Sequence, residues 1–178
     1  MLARVPAFVV GFVGDSGVGK TTLLEGVIRA LAARGRSVAA IKHSGGFDDP
    51  DPAGKDSARL RRAGARRVVL ASRDRTVVFA EHPGAEPSFE DRLREAGDAE
   101  FVVVESYRSA GLAAIEVLRA ALPRRVPQLG GHAGLLAVAA DFEPQRLADS
   151  VPRLTLDPEA VARFLLDRAR LRAPDPGS

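Results

Sequence analysis

The sequence predicts an α/β fold, a mainly parallel β-sheet covered by helices on both faces with one antiparallel hairpin attached. Three observations predict it. Apolar runs of strand length alternate with segments of helical periodicity, the order that builds parallel sheets. The strongest of those runs lack the polar alternation of a half-exposed strand, as strands buried on both faces should. Between the first run and the first periodic segment lies Gly14-Asp15-Ser16-Gly17-Val18-Gly19-Lys20-Thr21, which fits GxxxxGK[ST] at every fixed position.

The elements follow in order. Ala7 to Val13 is an almost unbroken apolar run and reads as the first strand. Leu23, Leu24, Val27, Ile28 and Leu31 repeat at helical spacing, and Gly35 supplies a stop. Ser37 to Ile41 reads as a second strand ending at Lys42-His43. Residues 44–54 form a long acidic loop, of a length that is usually functional or disordered. Asp56 or Ser57 can cap a short helix to Ala63, closed by Gly64. Arg67 to Ala71 and Thr76 to Ala80 make a hairpin across Ser72-Arg73-Asp74-Arg75.

His82 to Ser88 is a Pro/Gly-rich loop, and Phe89 to Ala96 reads as a helix. Phe101 to Val104 is a buried strand terminating in Glu105. Leu112 to Leu118 fits a strand or a helix, since its periodicity does not decide. Leu135 to Ala139 is a further buried strand ending at Ala140-Asp141, and Val151 to Leu156 a short one. Asp157 caps a closing helix with Pro158 at its first position, running to about Leu171. Residues 1–171 read as one domain, and 172–178 as a disordered tail.

Strand, glycine-rich turn and helix in that order are the context a phosphate loop requires, so the fold is that of P-loop nucleoside triphosphatases. Gly14, Gly17 and Gly19 permit positive φ and close approach of the backbone to an anion. The loop N–H groups converge as a nest at the positive end of the helix that begins near Lys20. Lys20 is placed to reach the β- and γ-phosphates, and the Thr21 hydroxyl to bind Mg²⁺. Asp15, Ser16, Val18 and Thr22 complete the nucleotide-binding segment. The bland alternative is a turn that merely joins strand to helix, which has no need of a lysine and a threonine there.

Composition narrows the classes. The chain has 178 residues, a net charge of +3 and no cysteine, which excludes disulfides, thiolate metal sites and thiol catalysis and fits a cytoplasmic protein. No apolar run approaches a membrane span. The Arg61-Arg62 and Arg66-Arg67 cluster comes without an aromatic RNA-binding motif and reads as a solvated basic face, so nucleic acid is not an expected partner. Of the 26 lysines and arginines only Lys20, Lys42 and Lys55 are lysine. A chain that writes arginine for positive charge has kept lysine where a compact ammonium serves, or has kept it by chance.

In open parallel sheets the ligand sits outside the carboxyl ends of the strands. That rule gathers the loop, Lys42-His43, Glu105 and Asp141 at one edge. Glu105 is the candidate acidic partner of the metal, or the group that orients a water. Glu105 and Lys42 are the candidate catalytic groups. Lys42 and His43 can meet phosphate or a partner's anionic substrate, or simply face water. Asp48, Asp49 and Asp51 can meet the metal through the loop or stay solvated. Asp141 can accept from the N1–H and amine of guanine, although the rest of an Asn-Lys-x-Asp reader is absent. His82 and His132 have no metal-ligand spacing around them.

The phosphate loop extended by Thr22-Leu23, with Ile41-Lys42-His43, Gly54-Lys55-Asp56-Ser57 and Ala63-Gly64-Ala65, resembles the molybdopterin-guanine dinucleotide biosynthesis adapter family (MobB-like proteins). Val103-Val104-Glu105, Ile115-Glu116-Val117 and the strand closing at Asp141 fall in matching order, so the resemblance runs from about Ala7 to Leu166. It implies a GTP-binding protein with feeble hydrolysis and bound Mg²⁺. Such a protein assists the molybdopterin guanylyltransferase and tends to be a homodimer. By carry-over Lys20 and Thr21 bind phosphate and Mg²⁺, and Glu105 partners the metal. Lys42, His43, Lys55 and Asp56 then line the pocket or the partner surface.

The chain departs from the family at Ser44-Gly45-Gly46, where a histidine pair is usual. It departs again at Ser106-Tyr107-Arg108, where glycine, an aromatic and lysine are usual, and at Ala113-Ala114 in place of Pro-Lys. Two other functions use the same loop. An ATP-dependent small-molecule kinase would need an acceptor site and usually an arginine-rich lid, which Arg61, Arg62, Arg66 and Arg67 could supply, but the sequence displays no catalytic base. A metal-delivering GTPase would need clustered cysteine and histidine ligands, which are missing.

Overall fold

A computed structural model describes residues 8–44, 46, 49–51, 54–107 and 110–172. Ala7, Asp48 and residues 173–178 of the expected tail lie outside them. The chain separates into two compact units, residues 1–43 with 89–178 and residues 44–88.

The first unit is built on six strands: β1 (Phe8–Val13), β2 (Val38–Lys42), β5 (Phe101–Glu105), β6 (Ala114–Leu118), β7 (Leu135–Ala140) and β8 (Arg153–Leu154). Their order is β2-β5-β1-β6-β7-β8, and every pairing is parallel. The chain leaves β1 toward one side of the sheet and returns past it to the other, which opens a crevice at the carboxyl end of β1. The phosphate loop begins there. β5 lies between β1 and β2, and its whole run Phe-Val-Val-Val-Glu is buried, as its sequence required.

Helices α1 (Lys20–Ala32) and α4 (Pro158–Arg172) cover one face. Leu23, Leu24, Val27, Ala30 and Leu31 of α1 join Phe8, Val10, Phe12, Val103, Ile115, Val117 and the α4 residues Val161, Ala162 and Leu165 in one core. The apolar stripe sits at 3.6-residue spacing while the strands contribute alternate residues, so helix and strand periods meet in this layer. Burying each such Val, Leu or Phe contributes about 1.5–3 kcal/mol. On the other face Leu118, Val138 and Ala140 pack with Leu147, which comes from the segment between β7 and β8 rather than from a helix. Helix α3 (Phe89–Glu95) has no buried residue.

Local signals act as expected. Gly35, at φ 72°, ends α1 and lets Arg36 N–H donate to Leu31 O at 3.1 Å. Asp157 caps α4 by accepting from Glu159 N–H at 3.1 Å. Leu112 to Leu118, undecided by period, is a strand over Ala114–Leu118 because it fills the slot between β1 and β7. The strand expected over Val151 to Leu156 shrinks to Arg153–Leu154.

The second unit holds α2 (Asp56–Arg62) and the antiparallel pair β3 (Arg67–Ala71) and β4 (Thr76–Ala80). Arg67 pairs with Ala80 and Ala71 with Thr76, the hairpin read from sequence. Lys55, not Asp56 or Ser57, is the N-cap of α2, and it makes no side-chain cap bond. Ser57 instead donates to Asp51 at 2.8 Å. Arg61 gathers Asp49 at 2.5 Å, Asp51 at 3.3 Å and Glu81 at 3.0 Å, and lies over the Phe79 ring. The hydrogen bond from Arg61 is the main reason that Asp49 titrates below the usual carboxylate range. Asp49 and Asp51 of the acidic loop are therefore spent on ordering this unit.

Candidate functional site

The phosphate loop follows β1 directly. Gly14, Gly17 and Gly19 all have positive φ, at 148°, 74° and 92°. Gly14 is also fixed by space, since a Cβ there would stand 2.5 Å from the Val117 carbonyl oxygen on β6. Gly19 is the N-cap of α1 in the left-handed region and makes no side-chain cap bond. The first-turn N–H groups of α1 therefore face the loop, at the positive end of the helix.

Lys20 is buried, and its Nζ donates to Gly14 O at 3.2 Å and to Asp15 O at 2.9 Å. Those carbonyls satisfy a buried ammonium that would otherwise be costly. Thr21 Oγ1 donates to Glu105 Oε1 at 2.8 Å. Glu105 is nearly buried at the end of β5, while Lys42, exposed at the end of the adjoining β2, sets its Nζ 3.5 Å from Glu105 Oε2. Water screens that last pair, so it contributes little to stability.

His43 N–H donates to Glu105 O at 3.1 Å, and its ring lies 4.5 Å from that of Tyr107, which also meets Phe89 at 5.1 Å. Ser106, directly after Glu105, holds φ 64° and donates its N–H to Phe12 O at 3.2 Å. A side chain in that region costs about 1–2 kcal/mol, and the strain sits beside the site.

The structure thus brings the loop, Lys20, Thr21, Lys42, His43 and Glu105 together at the carboxyl ends of β1, β2 and β5. Asp141 stands at the end of β7, where its Oδ1 accepts from Ala120 N–H at 2.6 Å and caps the turn after β6. Lys55 and Asp56 belong to the second unit. Among the described residues no group of three or more His, Asp or Glu side chains is arranged to hold a metal ion. A cation at this edge would have Thr21 and Glu105 as protein ligands, both of them hard oxygen donors.

Sequence reading missed four residues. Arg119 Nε donates to Val18 O at 3.0 Å, and Arg124 Nε to Asp15 Oδ2 at 2.8 Å. Gln128 Nε2 meets Asp15 Oδ1 at 3.4 Å. Asp15 raises the already high pKa of Arg124 through that hydrogen bond. Glu116, 1 % exposed, accepts from Gln128 N–H at 2.7 Å and Leu129 N–H at 2.9 Å and so fixes the segment that carries Arg124 and Gln128. A charged residue inside the apolar run Ile115-Glu116-Val117 was the one available signal. The arginines gave none in a chain so rich in them.

Comparison with known proteins matches residues 9–141 to the family model of molybdopterin guanine dinucleotide synthesis protein B, MobB. The chain is 35% identical over 159 residues to the molybdopterin-guanine dinucleotide biosynthesis adapter protein of Escherichia coli (strain K12), covering 88% of this chain and 90% of that one. It is also 32% identical over 182 residues to a tetraacyldisaccharide 4'-kinase of Chromobacterium violaceum, covering 93% of this chain but 53% of the kinase. Its fold is similar to the crystal structure of the MobB homolog from Bacillus stearothermophilus, with a TM-score of 0.66 at 22% identity, over 92% of this chain and 98% of that one. A family match across most of the sheet, and an adapter relative of nearly full length, mean that the chain belongs to the molybdopterin guanine dinucleotide synthesis protein B (MobB) family.

Proposed function

We propose that the protein binds GTP with Mg²⁺ in the phosphate loop and serves as the adapter that assists the guanylyltransferase of molybdopterin guanine dinucleotide synthesis. The observation that carries this reading is the convergence of Lys20, Thr21 and Glu105 at the carboxyl ends of β1 and β5. On binding, Lys20 exchanges its two loop carbonyls for phosphate oxygens. Thr21 and Glu105, whose oxygens stand 2.8 Å apart, would hold Mg²⁺ as two hard oxygen donors, and the ion would neutralise charge on the phosphates. Asp15, Ser16, Val18 and Thr22 complete the cradle, and Asp141 reads the base.

The adapter works as a homodimer in the cytoplasm, with Lys42 and His43 meeting nucleotide or partner, and Lys55 and Asp56 of the second unit meeting the partner. Among the described residues no helix is long and apolar enough to cross a membrane. Turnover of GTP by the protein alone is slow. No arginine finger or catalytic glutamine is legible in the sequence. The kinase reading gives the same loop to ATP and draws on the partial match to the 4'-kinase, of which this chain spans about half.

Calorimetric titration with GTP and with ATP, each with and without Mg²⁺, tests the reading. A GTP preference that Lys20→Ala abolishes, in a variant with the wild-type melting profile, supports it. Preference for ATP moves the kinase reading forward, and unimpaired binding by Lys20→Ala removes the loop as the site. Many turnovers of GTP per second without a partner would rule out an adapter.

A further inference from the structure

An anion-binding loop with a carboxylate inside it poses an electrostatic problem. Asp15 occupies the second position of the loop, among N–H groups and a lysine that favour negative charge. A free carboxylate there repels a polyphosphate. Its backbone carbonyl accepts from Lys20 at 2.9 Å, while its side chain is drawn toward the segment after β6, with Oδ2 at 2.8 Å from Arg124 Nε and Oδ1 at 3.4 Å from Gln128 Nε2.

That segment is tethered independently of Asp15. Glu116 accepts from the backbone N–H groups of Gln128 and Leu129, Arg119 donates to Val18 O, and Asp141 accepts from Ala120 N–H. Arg124 therefore reaches the loop from a fixed base on the opposite side of β1 from Glu105.

We propose that Arg124 is a positioning residue for the phosphate loop: it neutralises the Asp15 carboxylate and holds it aside, so that the nest can accept a triphosphate. The inference rests on the loop being the nucleotide site. It assigns the effect of Arg124 to Asp15 and not to contact with phosphate.

A double-mutant cycle tests it, with affinity for Mg²⁺-GTP measured by calorimetry on the full chain. Arg124→Ala weakens binding by about thirtyfold, the effect of the released Asp15 carboxylate, one unit charge, on a phosphate at roughly 8 Å in an effective dielectric of about 20. Arg124→Lys, which keeps the charge, recovers most of that loss. Asp15→Asn binds more tightly than wild type. On the Asp15→Asn background, Arg124→Ala costs no more than about twofold, the scatter of independent sites.

Equal losses from Arg124→Ala on both backgrounds would mean that Arg124 acts on the phosphate itself, by contact or through space, and would overturn the proposal. So would an Arg124→Ala protein that binds like wild type while Lys20→Ala does not bind. A Lys20→Ala protein of unimpaired affinity removes the loop reading, and the proposal with it. Thermal melts check each fold. Should Arg124→Ala melt early, Asp15→Asn alone and Arg124→Lys decide, and an Asp15→Asn protein of weakened affinity overturns the proposal.

Discussion

Thr21 at the start of α1 donates its hydroxyl proton to Glu105 at the end of β5, 2.8 Å away across 84 residues of sequence. The bond joins the phosphate loop to the neighbouring strand through two hard oxygens. It makes the two residues a unit, so their effects on metal binding are coupled.

The first prediction follows from that pair. Thr21→Ala lowers the affinity for GTP in Mg²⁺ by about ten- to hundredfold, the effect of losing one charge-assisted contact. In EDTA it binds GTP as wild type does. Glu105→Gln behaves alike, and the double variant loses little more than either single one. Calorimetry with and without the metal reads all three. A loss of the same size in EDTA would show that the pair supports the loop and not the ion.

Close packing of α1 on α4 supplies a second test. A Cβ at Gly26 would lie 2.4 Å from Pro158 Cγ and 2.6 Å from its Cβ. Alanine in mid-helix gains about 1 kcal/mol in propensity over glycine. Overpacking against a rigid ring costs about 1–3 kcal/mol, and Arg34 ties the same end of α4 through Glu159 at 2.6 Å. Gly26→Ala therefore destabilises by about 1 kcal/mol in urea unfolding. An unchanged or higher midpoint would mean that α4 yields freely.

The third prediction concerns acid. The Glu100 carboxylate accepts Ser37 N–H at 3.0 Å and Arg36 Nη1 at 2.9 Å, tying the starts of β5 and β2. These contacts, the Ser37 N–H foremost, hold its pKa below the ordinary glutamate value of 4.5. A depressed folded pKa stabilises above the unfolded value, and the contribution is lost as pH falls through the folded value. Wild type thus melts above Glu100→Gln near neutral pH, as thermal scans across pH will show. The gap narrows below pH 4.5 and closes in stronger acid. A gap that persists in strong acid would assign the effect to shape rather than charge.

Local chemistry made much of this molecule readable. The buried runs, the loop glycines, Lys20 and Thr21, the Ser72–Arg75 turn and the Asp157 cap each act through neighbours within a few residues, and each stands where the pattern put it. Glu105 was legible because a charge that closes four apolar residues marks the carboxyl edge of the sheet, where ligands of such sheets bind. The MobB resemblance was legible too, carried by segments around Lys42 and Lys55 and matched across residues 9–141.

What the tertiary structure alone decided lies between distant segments. Strand order turned Leu112 to Leu118 from an ambiguous run into β6, because only a strand fits beside β1 there. The same order carried Arg119, Arg124 and Gln128 onto the phosphate loop, at separations of 101, 109 and 113 residues. Tertiary contacts also bound Asp49 and Asp51 to Arg61, and took Asp51 out of water. Helix and strand periods, turns and caps arise from forces that act over a few residues, and a sequence states them openly. Which side chains meet across a sheet depends on how the whole core closes, and no short pattern encodes that.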